Sequence, residues 1–146
     1  MIKIKGYVTK NLGAETSNVG GQLPLIAKEF PEVEACHKGT INLLLTKPLV
    51  VLKPDQQTSP IQWLGKNAAG EVFDLLRIEF EMTRVNKKIQ AWLFISHWSP
   101  NRAKPWVHEV IAPYCDGIQA GDECIIHINR EYVSLDFDNA NTVYIV

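Results

Sequence analysis

Apolar and polar residues alternate along most of this chain, the period expected when successive side chains leave a strand on opposite faces. Ile2, Ile4 and, past Gly6, Val8 predict a first strand. The stretch from Asn11 to Gln22 mixes Gly13, Gly20 and Gly21 with Ser, Thr and Asn and is expected to be a loop. Leu23 to Phe30 predicts a short helix with Pro24 in its first turn, where the missing N–H is harmless, and Pro31 ends it. A second strand is expected from Thr40 to Leu45, resuming at Leu49 to Leu52 after Pro48. The polar, proline-flanked stretch from Lys53 to Pro60 is expected to be a loop.

The clearest alternation lies in Phe73 to Met82, with Leu76, Ile78, Phe80 and Met82 on one face and Arg77, Glu79 and Glu81 on the other. Asn86-Lys87-Lys88 turns it into Ile89 to Ser96, a hairpin. Ser99 to Pro105 is expected to be a further loop. Val107 to Ile111 and Cys124 to Ile128 predict two more strands, joined by Pro113 to Asp122. Ser134 to Val146 predicts a final hairpin turning at Asn139-Ala140-Asn141. Short strands, turn signals and at most one helix imply a closed or nearly closed barrel. The 146 residues, without repeat or linker, fit one domain, its core at about residues 2–129 and a C-terminal extension at 130–146.

Composition narrows the setting. A formal net charge of −1 gives no field favouring nucleic acid or an anionic membrane. The opening Met1-Ile2-Lys3-Ile4-Lys5 lacks the apolar run of a signal peptide, and the longest apolar runs are too short to span a bilayer. Cys36, Cys115 and Cys124 are odd in number, widely spaced and without a CxxC pair, so reduced structural thiols in a cytoplasmic protein are expected.

Most catalytic patterns are missing. His37, His97, His108 and His127 have no metal-ligand spacing, and the chain contains no G-x-S-x-G elbow and no G-x-x-x-x-G-K-[ST] loop. His97 is expected to be a packed rim histidine. His108 and Glu109 face opposite ways on a strand, so they form no dyad. Cys36-His37 is rejected as a nucleophile–base pair because sequence adjacency rarely gives that geometry.

Three segments remain. In Gly39-Thr40-Ile41-Asn42, positions i and i+2 of a strand share a face, bringing the Thr40 hydroxyl and the Asn42 carboxamide together. Two neutral, hard oxygens suit a weakly held Mg²⁺ balanced by a bound polyphosphate. Loop-to-strand punctuation, with Asn42 bonding the backbone, is the structural alternative. The second segment, Asn11-Leu12-Gly13-Ala14-Glu15-Thr16-Ser17, has small residues that let backbone N–H groups approach phosphate oxygens. The third, Trp106 to Glu123, describes a barrel corner through Pro113 and Ala120-Gly121-Asp122.

In this order the segments resemble the archaeal-type CTP-dependent riboflavin kinases, small cradle-loop barrels. The matching pieces are Gly6-Tyr7-Val8 with Gly13, then Gly39-Thr40-Ile41-Asn42, then Glu109-Val110-Ile111-Ala112-Pro113, then Ala120-Gly121-Asp122. The likeness spans roughly residues 4–129. It implies a mainly β, closed six-stranded barrel with one short helix and a C-terminal β extension.

The resemblance also implies a phosphotransferase that moves the CTP γ-phosphoryl group to riboflavin, giving FMN. Thr40 and Asn42 would be the Mg²⁺ ligands. Asn11, Leu12, Gly13, Ala14, Glu15 and Thr16 would cradle the nucleotide phosphates. Tyr114, Cys115, Asp116 and Gly117 would meet the cytidine. Glu109 would contact the flavin and is the one carboxylate nominated as catalytic base. The partners so implied are small molecules, a nucleotide and a flavin.

The chain also departs from the family pattern. Asn11, Ala14 and Glu15 replace glycines, Lys38 replaces the proline before Gly-Thr, and the link from Pro113 to Gly121 is shorter. A noncatalytic barrel binding a flavin, nucleotide or similar ligand is the alternative. A protein-interaction barrel presenting Trp92, Trp98 and Trp106 is a third.

Overall fold

A computed structural model describes residues 1–10, 17–65, 67–99 and 104–135. Six antiparallel strands close into a ring: β1 (Ile2–Lys10), β2 (Ile41–Leu45), β5 (Phe73–Met82), β6 (Lys87–Ser96), β7 (Val107–Ile111) and β8 (Glu123–Ile128). Around the ring the order is β1-β2-β7-β6-β5-β8, and β8 pairs with β1 to close it. Every strand of the ring has a partner on both sides, although the β6–β7 seam is paired only at Trp92–Ile111 and Leu93–Val110. Where β8 leaves β5 at Ile78, the short strand β4 (Gln56–Gln57) takes over outside the ring, pairing with Leu75 and Asp74.

The alternation read from the sequence places the core. Leu76, Ile78, Phe80 and Met82 point into the barrel with Ile4, Val8, Ile41, Leu43, Leu93, Val110 and Ile126. Gly6 allows β1 and β2 to approach, since a Cβ there would meet Leu45 Cδ2 at 2.8 Å and the Leu44 carbonyl oxygen at 3.0 Å. One end of the barrel is closed by a two-stranded ribbon of β3 (Val50–Val51) and β9 (Val133–Ser134), whose Val51 and Val133 belong to the core. Of the last hairpin, expected from Ser134 to Val146, residues 136–146 lie outside the described residues.

The helix differs from expectation. It runs as α1 (Ser17–Glu29), so residues 17–22 are helical rather than loop and Pro24 sits inside the helix. Tertiary burial outweighs the local glycine and proline signals here. Val19, Leu23 and Ile26, spaced i, i+4 and i+7, pack on the barrel's outer surface against Phe73, Leu75, Trp92, Phe94 and Ile111. The outward faces of β5, β6 and β7 therefore build a second core. Trp92, counted among the partner-facing tryptophans, is 4% exposed within it, which removes it from any docking surface. No helix among the described residues is long and apolar enough to cross a membrane.

Candidate functional site

The end of the barrel where β2 begins and β7 ends holds Thr40, Asn42 and Glu109. The chain enters β2 through Cys36 to Thr40, held to the exit of β7 by a hydrogen bond from the His37 N–H to the Ala112 carbonyl, 2.8 Å. Thr40 Oγ1 lies 2.9 Å from Asn42 Oδ1 and donates to it. The two side chains thus converge, although Thr40 stands just ahead of β2 rather than within it as expected. Asn42 stands opposite Glu109 on β7 and opposite Lys10 on β1. Cross-strand neighbours of this kind have Cβ atoms about 5 Å apart, so Glu109 shares the face of Asn42.

That face is the outer one. Ile111, two residues beyond Glu109, packs beneath α1, whereas Ile41, Leu43 and Val110 point inward.

A β-bulge shapes the strand beside it. The register between β1 and β2 slips between Val8 and Lys10, leaving Thr9 as the extra residue, and its hydroxyl donates to the Asn42 carbonyl at 3.1 Å. Thr9 was not anticipated; a bulge leaves no mark in hydrophobic alternation.

Thr40 and Asn42 would offer two neutral oxygens to a magnesium ion of the kind the resemblance implies. Octahedral coordination at about 2.0–2.1 Å would set neighbouring oxygens roughly 2.9 Å apart; the 2.9 Å between Thr40 Oγ1 and Asn42 Oδ1 is the ordinary length of the hydrogen bond that joins them. Among the described residues there is no cluster of three or more His, Cys, Asp or Glu side chains that could hold a metal. A cation held by Thr40 and Asn42 would thus draw its charge balance from its ligand.

Beyond β7, Pro113 leads into the loop named for the nucleotide. Tyr114 is 62% exposed and meets the His37 ring edge-on, with centroids 5.3 Å apart. Cys115 turns into the core and its thiol donates to the Pro113 carbonyl at 3.2 Å. Asp116 and Gly117 are exposed. Of the four residues assigned to cytidine, Tyr114, Asp116 and Gly117 therefore form the accessible set. Asn11, Leu12, Gly13, Ala14, Glu15 and Thr16 lie outside the described residues.

Next to this end a groove of about 600 Å³ opens between α1 and the segment leading into β2. Leu23, Pro24 and Ala27 form its apolar side, and Lys28, Glu34 and Lys38 its polar side. A volume in this range suits a small-molecule ligand. Lys38, two residues before Thr40 in sequence, lines this groove, whereas Thr40, Asn42 and Glu109 do not. A second cavity, about 480 Å³, lies at the opposite end of the barrel around Arg77, Glu79, Gln90 and Tyr132.

The remaining reactive side chains serve the fold. Burial pushes the Cys36 and Cys124 thiols up to about 12 and the Cys115 thiol upward, which leaves none of them a ready nucleophile. His108 is buried, and its Nε2 lies 3.1 Å from the Leu49 carbonyl and 2.9 Å from the Pro105 carbonyl, so that nitrogen carries the proton. His97, at the far rim, is packed as expected, with Nε2 2.9 Å from Asp74 Oδ2.

Comparison of the chain with protein-family models gives no match, and comparison with curated proteins gives none.

Proposed function

We propose that this barrel is a Mg²⁺-assisted phosphotransferase of the CTP-dependent riboflavin kinase type, making FMN from riboflavin. The observation that carries the reading is the convergence of Thr40 Oγ1 and Asn42 Oδ1 at 2.9 Å, on the face they share with Glu109. The ion would be held by Thr40 and Asn42 and would offset charge on the nucleotide phosphates. Every other contribution comes from the chain. Glu109 accepts the proton of the riboflavin 5′-hydroxyl as its oxygen bonds to the γ-phosphorus, and the bond between that phosphorus and the β–γ bridging oxygen breaks, releasing CDP.

The Thr9 hydroxyl holds the backbone carbonyl of Asn42 at the bulge. The groove beside Lys38 has room for the flat ring of the acceptor, whose dimethylbenzene edge is apolar and whose pyrimidinedione edge is polar.

The double variant Thr40→Val, Asn42→Leu tests the assignment. It keeps the size of both side chains and removes both oxygens. The barrel is expected to stay folded by circular dichroism while Mg²⁺-dependent FMN formation disappears. Undiminished turnover in a folded double variant would remove the metal assignment. Flavin or CTP binding by the wild-type protein without turnover would instead support the ligand-binding barrel.

A further inference from the structure

We propose that Arg84, in the turn of the β5–β6 hairpin, is a positioning residue for the nucleotide-side loop between Pro113 and Asp122. The inference rests on reading that loop as part of a nucleotide site.

Arg84 reaches across 38 residues of sequence to Asp122 in a two-pronged contact, Nε to Oδ1 at 2.9 Å and Nη2 to Oδ2 at 2.9 Å. The same Nη2 donates to the carbonyl of Gly117. Asp122 Oδ2 also accepts the backbone N–H of Gln119 at 2.9 Å. One guanidinium therefore ties the carboxylate that organises the turn to the peptide carbonyl at the tip of the loop.

The main chain completes the frame. The Gly121 N–H donates to the Val8 carbonyl at 2.6 Å, and the Val8 N–H to the Asp122 carbonyl at 2.8 Å. Gly121 has φ +92°, a conformation open to glycine at no steric cost. Cys115 and Ile118 anchor the loop from beneath, being part of the barrel core. What stays accessible is the run Tyr114, Asp116 and Gly117, the residues assigned to the base and sugar.

An exposed ion pair contributes little to global stability, and the Arg84 side chain is 48% exposed. Its two-pronged geometry and its extra bond to the loop carbonyl fit local ordering instead. Each partner favours the charged form of the other: Asp122 holds Arg84 above its ordinary value, and Arg84, followed by the Gln119 N–H, holds the Asp122 carboxyl below its own. A loop preformed in this way binds its ligand without an ordering cost at the moment of binding.

Arg84→Ala and Arg84→Lys in the full chain test the proposal. Calorimetry with MgCTP and with riboflavin gives the two affinities, steady-state kinetics separates KM from kcat, and amide exchange reads the Gln119 N–H. Arg84→Ala is expected to speed exchange at Gln119 and weaken MgCTP binding on the order of fivefold. The CTP KM should rise with it, while riboflavin affinity and kcat hold. Arg84→Lys should recover part of the loss, since lysine restores the charge but not the fork.

Unchanged MgCTP affinity in Arg84→Ala would overturn the proposal while leaving the nucleotide reading in place. Equal loss of CTP and riboflavin affinity would overturn it in favour of a purely structural role. Absence of CTP binding by the wild-type protein would overturn the nucleotide reading itself, and the positioning role with it.

Discussion

Asn42 meets the rest of its site through several different groups. Its carboxamide oxygen accepts from Thr40, its carbonyl accepts from Thr9, and its strand neighbours are Lys10 and Glu109. The pairing with Thr40 was legible because i, i+2 spacing is a local property of a strand. The contact with Thr9 was not, since it depends on a register slip between two strands. His108 shows the same division. Its separation from Glu109 followed from alternation, but its burial against the Leu49 and Pro105 carbonyls needed the tertiary fold.

That burial gives a prediction at the residue scale. Desolvation holds the His108 pKa below its ordinary 6.5. The folded protein therefore stays unprotonated there while the unfolded chain takes up a proton. Stability present above pH 6.5 should fall as the pH drops through 6.5 towards the folded-state value, with a slope of at most about 1.4 kcal/mol per pH unit. His108→Gln, which keeps an N–H donor, should flatten this part of the profile. Denaturant melts from pH 5 to 8 on both proteins isolate the effect from the other histidines, and identical slopes would contradict it.

Elements were legible where one periodicity governed them. The β5–β6 hairpin follows its alternation, though Lys87 and Lys88, expected in its turn, begin β6, and the strand expected from Val107 to Ile111 is β7. Helix α1 was half hidden, because Gly20, Gly21 and Pro24 are loop signals in isolation. Its apolar stripe of Val19, Leu23 and Ile26 gains a surface to cover only once β5, β6 and β7 present Phe73, Leu75, Phe94 and Ile111 outward.

Ile26→Ala should therefore cost about 2–5 kcal/mol, although the residue lies outside the barrel. Chemical denaturation measures this directly. A loss below about 1 kcal/mol would mean that α1 does not depend on this face. The Arg84–Asp122–Gly117 bridge joins two further elements, and nothing in the local pattern of either segment marks it.

For the molecule as a whole, barrel architecture was legible from strand number, turn spacing and the lack of further helices. Order around the ring was not, because alternation specifies faces and leaves neighbours open. The second core, and with it the burial of Trp92, depended on that order. Strand order is also what sets the candidate site: β2 lies between β1 and β7, with Asn42 between Lys10 and Glu109. The proposed reaction requires all three strands at once, which local sequence patterns alone do not supply.

The most direct measurement incubates the purified chain with riboflavin and Mg²⁺, supplies CTP or ATP separately, and quantifies FMN by chromatography. The account predicts FMN with CTP, dependent on Mg²⁺, and little or none with ATP. A folded protein that forms no FMN with either nucleotide would contradict it.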